Sequence, residues 1–209
     1  MTRARLYKDF FLHTDITVMF VLLLALVGAH LALFGVGIRS LICFAAGLVG
    51  FMFSEYMTHR FFFHLKAPRN PTFLKLLKRL HYDHHTHPSD LKLLFLPLWY
   101  SLPNFIVFVG VFYLITGLPD ASAAFAAGLI TMLLMYEWKH YVAHRPMLPR
   151  TRLGKWVKKT HLLHHFKNEN YWYGVSTPFV DAIFGTLKDE KQVPTSAFVK
   201  DLEGRPEGQ

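Results

Sequence analysis

Four long stretches of the chain contain no lysine or arginine: residues 16–35, 41–57, 93–116 and 121–136. A helix that crosses a bilayer needs ~20 predominantly apolar residues, and these stretches reach or approach that length. Short turns at residues 37–40 and 117–120 join them in pairs, and both turns contain Gly or Pro, which end helices. The sequence therefore predicts an all-α integral membrane protein with four transmembrane helices in two hairpins. A soluble all-α protein is the disfavoured alternative, since charge-free runs of this length are rare in soluble cores.

The basic residues are distributed unevenly around these spans. Of 23 Lys and Arg, only Arg39 lies in a hairpin turn, and the net charge is +9. The other basic residues lie in three segments that four spans place on one side of the membrane, which the positive-inside rule makes cytoplasmic. We therefore expect both termini in the cytoplasm, with a bacterial inner membrane favoured over the endoplasmic reticulum. A nucleic-acid partner is excluded, because the charge follows the membrane edges and no nucleic-acid motif accompanies it.

Ten of the 13 histidines fall into four clusters with the spacings HX4H, HX2HH, HX3H and HX2HH. The clusters are His59 and His64; His81, His84 and His85; His140 and His144; and His161, His164 and His165. Neutral imidazole is the commonest metal ligand in proteins, and a single zinc takes only three or four protein ligands. Ten histidines therefore predict two metal ions. All ten lie at the ends of the second and fourth spans or in the basic segments that follow them, so the metal site is expected at the cytoplasmic face.

Helical geometry divides the clusters between the two ions. Residues four apart share a helix face, so the pairs His81/His85, His140/His144 and His161/His165 can each face one ion. His84 and His164 lie about 60° away from their i+3 partners and could reach the other ion. His59 and His64 differ by about 140° on a regular helix, so we expect the helix to end or bulge near residues 60–63.

The remaining histidines and the single cysteine receive simpler interpretations. His87 is predicted to have a surface or supporting role, His13 an interfacial position, and His30 a hydrogen bond to a neighbouring helix within the membrane. Cys43 is the only cysteine, which excludes a disulfide framework and a thiolate metal site. We expect residues 1–209 to form one domain, with residues 188–209 as a polar surface tail.

Several motifs resemble one family of membrane oxygenases. They are Glu55-Tyr56 before the HX4H cluster, the two HX2HH clusters, the HX3H cluster, and the closing runs at residues 170–171, 174–178 and 181–186. The chain resembles the fatty acid hydroxylase/sterol desaturase superfamily and is most similar to the fatty acid 2-hydroxylases. The resemblance implies a four-span fold with a dimetal histidine site under a cytosolic helical cap, and all ten histidines match the family's metal positions. The eukaryotic members carry an N-terminal cytochrome b5 domain that this sequence lacks.

The resemblance also implies an activity. We expect a non-haem di-iron monooxygenase that hydroxylates a lipid acyl chain at C2, with a sphingolipid or another polar lipid as substrate. It would need two iron ions, O2 and electrons from a separate cytochrome b5- or ferredoxin-type donor, and zinc could occupy the site in purified protein. A desaturase or sterol oxidase on the same scaffold is one alternative. A non-enzymatic membrane protein that binds or transports zinc is another.

Two further sets of residues are candidates for supporting roles. Asp83, Asn170 and Asp181 are expected to orient imidazole N–H groups, although helix capping is an equal alternative for Asp181. Tyr171, Trp172 and Tyr173 are expected either to line the substrate entrance or to form an aromatic belt at the membrane interface.

Overall fold

A computed structural model of the chain describes residues 2–205, which form helices and turns and contain no strand. The helices are α1 (Arg3–Phe11), α2 (Thr14–Phe34), α3 (Ile38–Met57), α4 (Pro71–Leu77), α5 (Asp83–Thr86), α6 (Leu91–Leu94), α7 (Leu98–Thr116), α8 (Pro119–His144), α9 (Arg152–Phe166) and α10 (Phe179–Ile183). Two π-helical segments interrupt this pattern: π1 (Thr58–Phe63) continues α3, and π2 (Lys78–Tyr82) joins α4 to α5. The last four residues of the predicted tail lie outside the described residues.

Within residues 2–205, four helices are long and apolar enough to cross a membrane: Thr14–Phe34, Ile38–Phe63, Leu91–Thr116 and Pro119–His144. The fold class predicted from the sequence is therefore confirmed. The helices extend past the predicted spans, most of all at the C-terminal ends of the second and fourth. Large apolar side chains on α2 and α7 are exposed, with Leu33 at 73% and Leu114 at 83%, as expected for helices that face lipid.

The described chain divides into two compact units. The first unit contains residues 2–51 and 96–138, and the second contains residues 52–95 and 139–205. Helices α3 and α8 contribute residues to both units, since the divisions at 51/52 and 138/139 fall within them. All ten clustered histidines belong to the second unit.

Within the first unit, α3 and α8 cross at very short range. A Cβ atom added to Gly47 would overlap the backbone oxygen of Phe125, and one added to Gly128 would overlap the backbone oxygen of Phe44. Small residues at such crossings let two membrane helices approach closely enough for extensive van der Waals contact. The two glycines therefore fix how α3 packs on α8.

Polar contacts also join elements of the first unit. The guanidinium of Arg39, at the start of α3, lies 2.6 Å from the carboxylate of Asp120, at the start of α8. His30 on α2 lies 3.1 Å from the Ser40 hydroxyl on α3, which confirms the predicted interhelical hydrogen bond. Arg39 and Asp120 each lie in the turn of one helical hairpin. The ion pair therefore joins the two turns, at the starts of α3 and α8.

Local sequence signals set the helix starts in the second unit. The side chain of Asn70 accepts the Phe73 N–H and Pro71 occupies the first turn of α4, a favourable N-terminal pattern. The Thr151 hydroxyl caps α9 in the same way by accepting the Gly154 N–H. These caps fix where α9, which carries the last histidine cluster, begins, and where α4, which leads into the histidine-bearing π2, begins.

We predict that Gly128→Ala destabilises the protein by about 1–3 kcal/mol, because overpacking forces the backbones apart. The matched control is Gly110→Ala on α7, where an added Cβ meets nothing within 4 Å. This control should be neutral or slightly stabilising, since Ala has a higher helix propensity than Gly. Thermal unfolding in detergent measures both variants, and equal midpoints would contradict the close helix crossing.

Candidate metal centre

The first cluster is shaped by a local change of helix type. The His64 N–H donates to the His59 carbonyl at 3.2 Å, a bond that spans five residues rather than four. This is the π-helical pattern, and it gives the helix more residues per turn. It brings His59 and His64 to one side of π1, and it confirms the expectation that the helix bulges near residues 60–63.

The ten clustered histidines converge in two groups of five, and within each group the ligand atoms lie within 4.8 Å of one another. The first group contains His59, His64, His81, His85 and His164. The second group contains His84, His140, His144, His161 and His165. Nearly all of these side chains are buried, and His85, His164 and His165 have no exposed surface.

Each HX2HH cluster contributes to both groups. His81 and His85 enter the first group, whereas His84 between them enters the second. His161 and His165 enter the second group, whereas His164 enters the first. The structure thus separates these residues along the helix faces that their spacing predicts. That the ten side chains bind metal stays a prediction.

Backbone carbonyls orient three imidazoles of the first group. The Nδ1 atoms of His59, His85 and His164 lie 2.5, 2.8 and 2.8 Å from the carbonyl oxygens of Tyr173, Val199 and Tyr171. A carbonyl can only accept a hydrogen bond, so Nδ1 carries the hydrogen in each neutral ring. The Nε2 atom of each ring then presents a lone pair to the centre of the group.

The arrangement of Nε2 atoms calls for a cation. The Nε2 of His81 lies 3.2, 2.9 and 2.9 Å from the Nε2 atoms of His59, His64 and His85. It carries at most one hydrogen, so it cannot donate to all three neighbours. In the second group, His84 and His140 lie 2.9 Å apart and His144 and His161 lie 2.8 Å apart, again between Nε2 atoms. Converging lone pairs repel each other unless a metal ion binds them, so both groups fit metal ions.

Burial keeps these imidazoles in the neutral form that binds metal. It lowers the pKa of His81, His84, His161, His164 and His165 well below the usual 6.5, and neighbouring histidines add to this effect. Burial lowers the pKa of His85 to about 3, although its bond to the Val199 carbonyl acts in the opposite direction. Desolvation disfavours the charged imidazolium in a site closed to water.

The carbonyls that orient His59 and His164 lie on either side of Trp172. This residue has φ +58, in the left-handed region that bulky residues rarely adopt. It is held there by its backbone N–H, which donates to the Thr186 carbonyl at 3.2 Å, and its indole N–H, which donates to the Lys188 carbonyl at 3.0 Å. Strained residues of this kind persist only where the surroundings fix them, and they concentrate at functional sites.

Asp181 holds the same loop through hydrogen bonds to its backbone. Its buried carboxylate accepts the backbone N–H groups of Tyr173 and Gly174 at 2.8 and 2.7 Å, and the Thr186 hydroxyl at 2.7 Å. Asp181 thus acts on His59 through the Tyr173 carbonyl and not by direct contact with an imidazole. Burial raises the pKa of Asp181, while these hydrogen bonds oppose that shift.

Two charged residues that sequence reasoning missed hold the next part of the loop. The Glu55 carboxylate accepts the backbone N–H groups of Val175 and Ser176 at 2.9 and 3.3 Å. The Lys139 ammonium donates to the Ser176 carbonyl at 2.6 Å. Glu55 was visible in the sequence only as part of a family motif, and Lys139 only as the residue before a histidine.

The other predicted residues lie in varied surroundings. Asp83 is partly exposed, and within the described chain its carboxylate makes no hydrogen bond to an imidazole. The Asn170 side chain donates to Glu169, 3.3 Å away. Trp172 and Tyr173 are buried, whereas Tyr171 is partly exposed, so Trp172 and Tyr173 do not form an exposed interfacial belt. His87 is exposed, outside both groups.

Comparison with known proteins agrees with this site. The family model for fatty acid hydroxylase matches residues 44–186. A fatty acid 2-hydroxylase of Macaca fascicularis is 36% identical over 153 residues, which cover 71% of this chain and 40% of that protein. The dihydroceramide fatty acyl 2-hydroxylase FAH2 of Arabidopsis thaliana is 33% identical over 150 residues, which cover 68% of this chain and 59% of that protein.

A solved structure is also similar. It is described as full-length scs7p with only the hydroxylase domain visible, and it superposes with a TM-score of 0.71 at 28% identity. The match covers 86% of this chain and 67% of that one. The chain therefore spans between two fifths and three fifths of the length of the two relatives, and two thirds of the solved chain.

We predict that the metal-free protein loses stability as the pH falls from about 7 to 5. The unfolded imidazoles bind protons near pH 6.5, whereas the buried ones, with lowered pKa values, stay neutral, so acid favours the unfolded chain. Each such imidazole adds a slope of up to about 1.4 kcal/mol per pH unit. Thermal unfolding of the metal-free protein across this pH range measures the effect.

His85→Gln removes one buried imidazole and should make this pH dependence shallower. His87→Gln, at an exposed position outside both groups, is the control and should leave the slope unchanged. A midpoint that stays constant or rises on acidification would contradict the assignment of neutral, buried imidazoles.

Proposed function

The chain belongs to the fatty acid hydroxylase family, and on this basis we propose that it is a membrane di-iron oxygenase that hydroxylates a lipid acyl chain at C2. The observation that carries the proposal is the pair of five-histidine groups in the second unit. Two relatives are named for 2-hydroxylation of a fatty acid or a dihydroceramide acyl chain. We extend that chemistry to this protein, with a sphingolipid or another polar lipid as substrate.

The ten histidines would hold two iron ions, five around each. When bound, these ions supply the activation of O2 that an aliphatic C–H bond requires, which no side chain provides. The chain's own residues hold the ligands in place. The carbonyls of Tyr171, Tyr173 and Val199 fix three imidazoles of the first group, Asp181 and Glu55 hold the loop, and burial excludes water.

Nitrogen ligands alone do not select iron over zinc, because zinc binds such sites more tightly under the Irving–Williams order. Zinc in purified protein would therefore be compatible with an iron enzyme. The reaction also consumes two electrons, for which we propose a separate donor of the cytochrome b5 or ferredoxin type.

Histidine positions along the spans support attack near the carbonyl end of the acyl chain. His59, His140 and His144 lie at the C-terminal ends of two membrane-crossing helices, and His64 follows directly. A site at a span end is level with lipid head groups, where an acyl chain presents the carbons next to its carbonyl. The distribution of Lys and Arg supports a cytoplasmic position for this end and for both termini, and we propose a bacterial inner membrane, with the endoplasmic reticulum as the alternative.

We predict that His85→Ala and His161→Ala each abolish hydroxylation and release metal, because each removes a ligand from a different group. The wild-type protein should contain two ions per chain by elemental analysis. His13→Ala changes a histidine in the first unit, outside both groups, and should affect neither activity nor metal content. Equal damage from all three substitutions would contradict the separation of ligands from other histidines.

The reaction is tested with purified enzyme, O2, a reducing partner and an acylated membrane lipid. Fragmentation mass spectrometry should locate one added oxygen at C2 of the acyl chain. A product lighter by two hydrogens would indicate a desaturase, and an oxidised sterol would indicate a sterol oxidase. The absence of any oxygen-dependent product from these lipids would favour a metal-binding or transport protein.

A further inference from the structure

Residues 193–205, the C-terminal strap, pack against other parts of the second unit, although the sequence predicts a polar surface tail at residues 188–209. The strap lies beyond residues 44–186, which match the family model. Val193, Val199 and Leu202 are buried, and Leu202 packs with Leu77 and Tyr82, next to His81. Three buried apolar side chains therefore anchor this segment, most of which is exposed, to the folded unit.

The strap makes two contacts with histidines of the first group. The Val199 carbonyl accepts the Nδ1–H of His85 at 2.8 Å. The Arg205 guanidinium donates to the His64 carbonyl at 2.6 Å and to the Leu65 carbonyl at 3.2 Å. One contact orients a ligand ring, and the other holds the backbone from which a ligand side chain extends.

The Arg205 contact lies where π1 ends. The last carbonyls of a helix have no partner within the helix, and a cationic side chain is well suited to bind them. Arg205 donates to the backbone carbonyl of His64. The Nε2 atom of the His64 ring lies 3.1 Å from the Nε2 atom of His164. A shift of this backbone would move His64 relative to the other ligands of the first group.

The strap does not support the second group in this way. Among residues 2–205, the hydrogen bonds of the strap to histidines reach only the first group. In the same part of the chain, Nδ1 atoms without a hydrogen-bond partner occur in both groups, at His64 in the first and at His84, His161 and His165 in the second, so the strap contacts are what distinguishes the groups. The two groups are therefore supported differently, and the second group serves as an internal reference for the first.

We propose that the C-terminal strap is a structural part of the first metal site, with Arg205 as a positioning residue that sets how tightly that site holds its ion. The inference rests on the proposed function, since it concerns ions that the function requires. Loss of a partner that orients a ligand typically lowers metal affinity 10–100-fold. We expect a loss of this size from the first site and none from the second.

The experiment uses Zn²⁺ as a redox-silent probe, and a competing chelator measures how the loaded protein releases its ions. Arg205→Met should release one of two ions at 10–100-fold lower chelator concentration, while the other ion is retained as in the wild type. Arg205→Lys keeps a donor for the carbonyls and should restore part of the affinity. The retained ion shows that the variant is still folded.

Lys78→Met is the matched control. It removes an exposed ion pair between Lys78 and Glu203 of the strap, 2.7 Å apart, and leaves the contacts to His64 and His85 in place. Exposed ion pairs contribute little to stability, so both ions should be retained. If Lys78→Met lost as much zinc as Arg205→Met, any loosening of the strap would be enough to weaken zinc binding. That result would overturn the specific role of Arg205.

Combining Arg205→Met with a second substitution in either group identifies the site that releases the ion. With His144→Ala, which damages the second group, Arg205→Met should release the remaining ion easily. In the His85→Ala background, in which the first group is already damaged, Arg205→Met should not change the release of the remaining ion. Release from the second group, or from neither group, would overturn the inference. A wild-type chain that binds no zinc would instead contradict the proposed metal centre itself.

Discussion

The convergence of ten neutral imidazoles in a buried space is the constraint on which the second unit depends. His81 alone faces three other Nε2 atoms within 3.2 Å, more than one hydrogen can satisfy. Such an arrangement is costly without cations, because buried lone pairs repel each other and cannot be solvated. The fold must therefore hold the rings against their mutual repulsion until metal binds.

Backbone geometry provides much of that restraint. The π-helical segment π1 turns His59 and His64 to one side, and carbonyls from two separate segments fix three rings through Nδ1. Trp172, Asp181 and Glu55 act indirectly, because their hydrogen bonds fix the loop that carries two of those carbonyls. The hydrogen bonds that orient these three imidazoles come from main-chain carbonyls and not from the side chains predicted as imidazole partners. The positions of those carbonyls depend on how the chain folds.

Much of the fold and all ten histidines of the candidate ligand set could be predicted from the sequence. Charge-free stretches identify membrane helices because unpaired charges are excluded from lipid, and the i, i+4 rule separates His81 and His85 from His84 because it follows from helix geometry alone. The interruption at the HX4H cluster was also predictable, since a regular α-helix cannot bring those two rings together. Asp83 is a reasonable candidate by position, but within the described chain its carboxylate makes no hydrogen bond to an imidazole.

The sequence by itself determined the class of fold, the four spans, the histidine clusters and their division by helix face, because these depend on composition and on spacing within one helix. Only the tertiary structure decided which cluster joins which, that carbonyls of Tyr171, Tyr173 and Val199 orient the rings, and that residues 193–205 reach the first group. Those contacts join residues more than 100 positions apart in several cases, such as His85 and Val199. No local pattern records them, because the chain carries the same carbonyl at every residue and only folding selects the ones that face an imidazole.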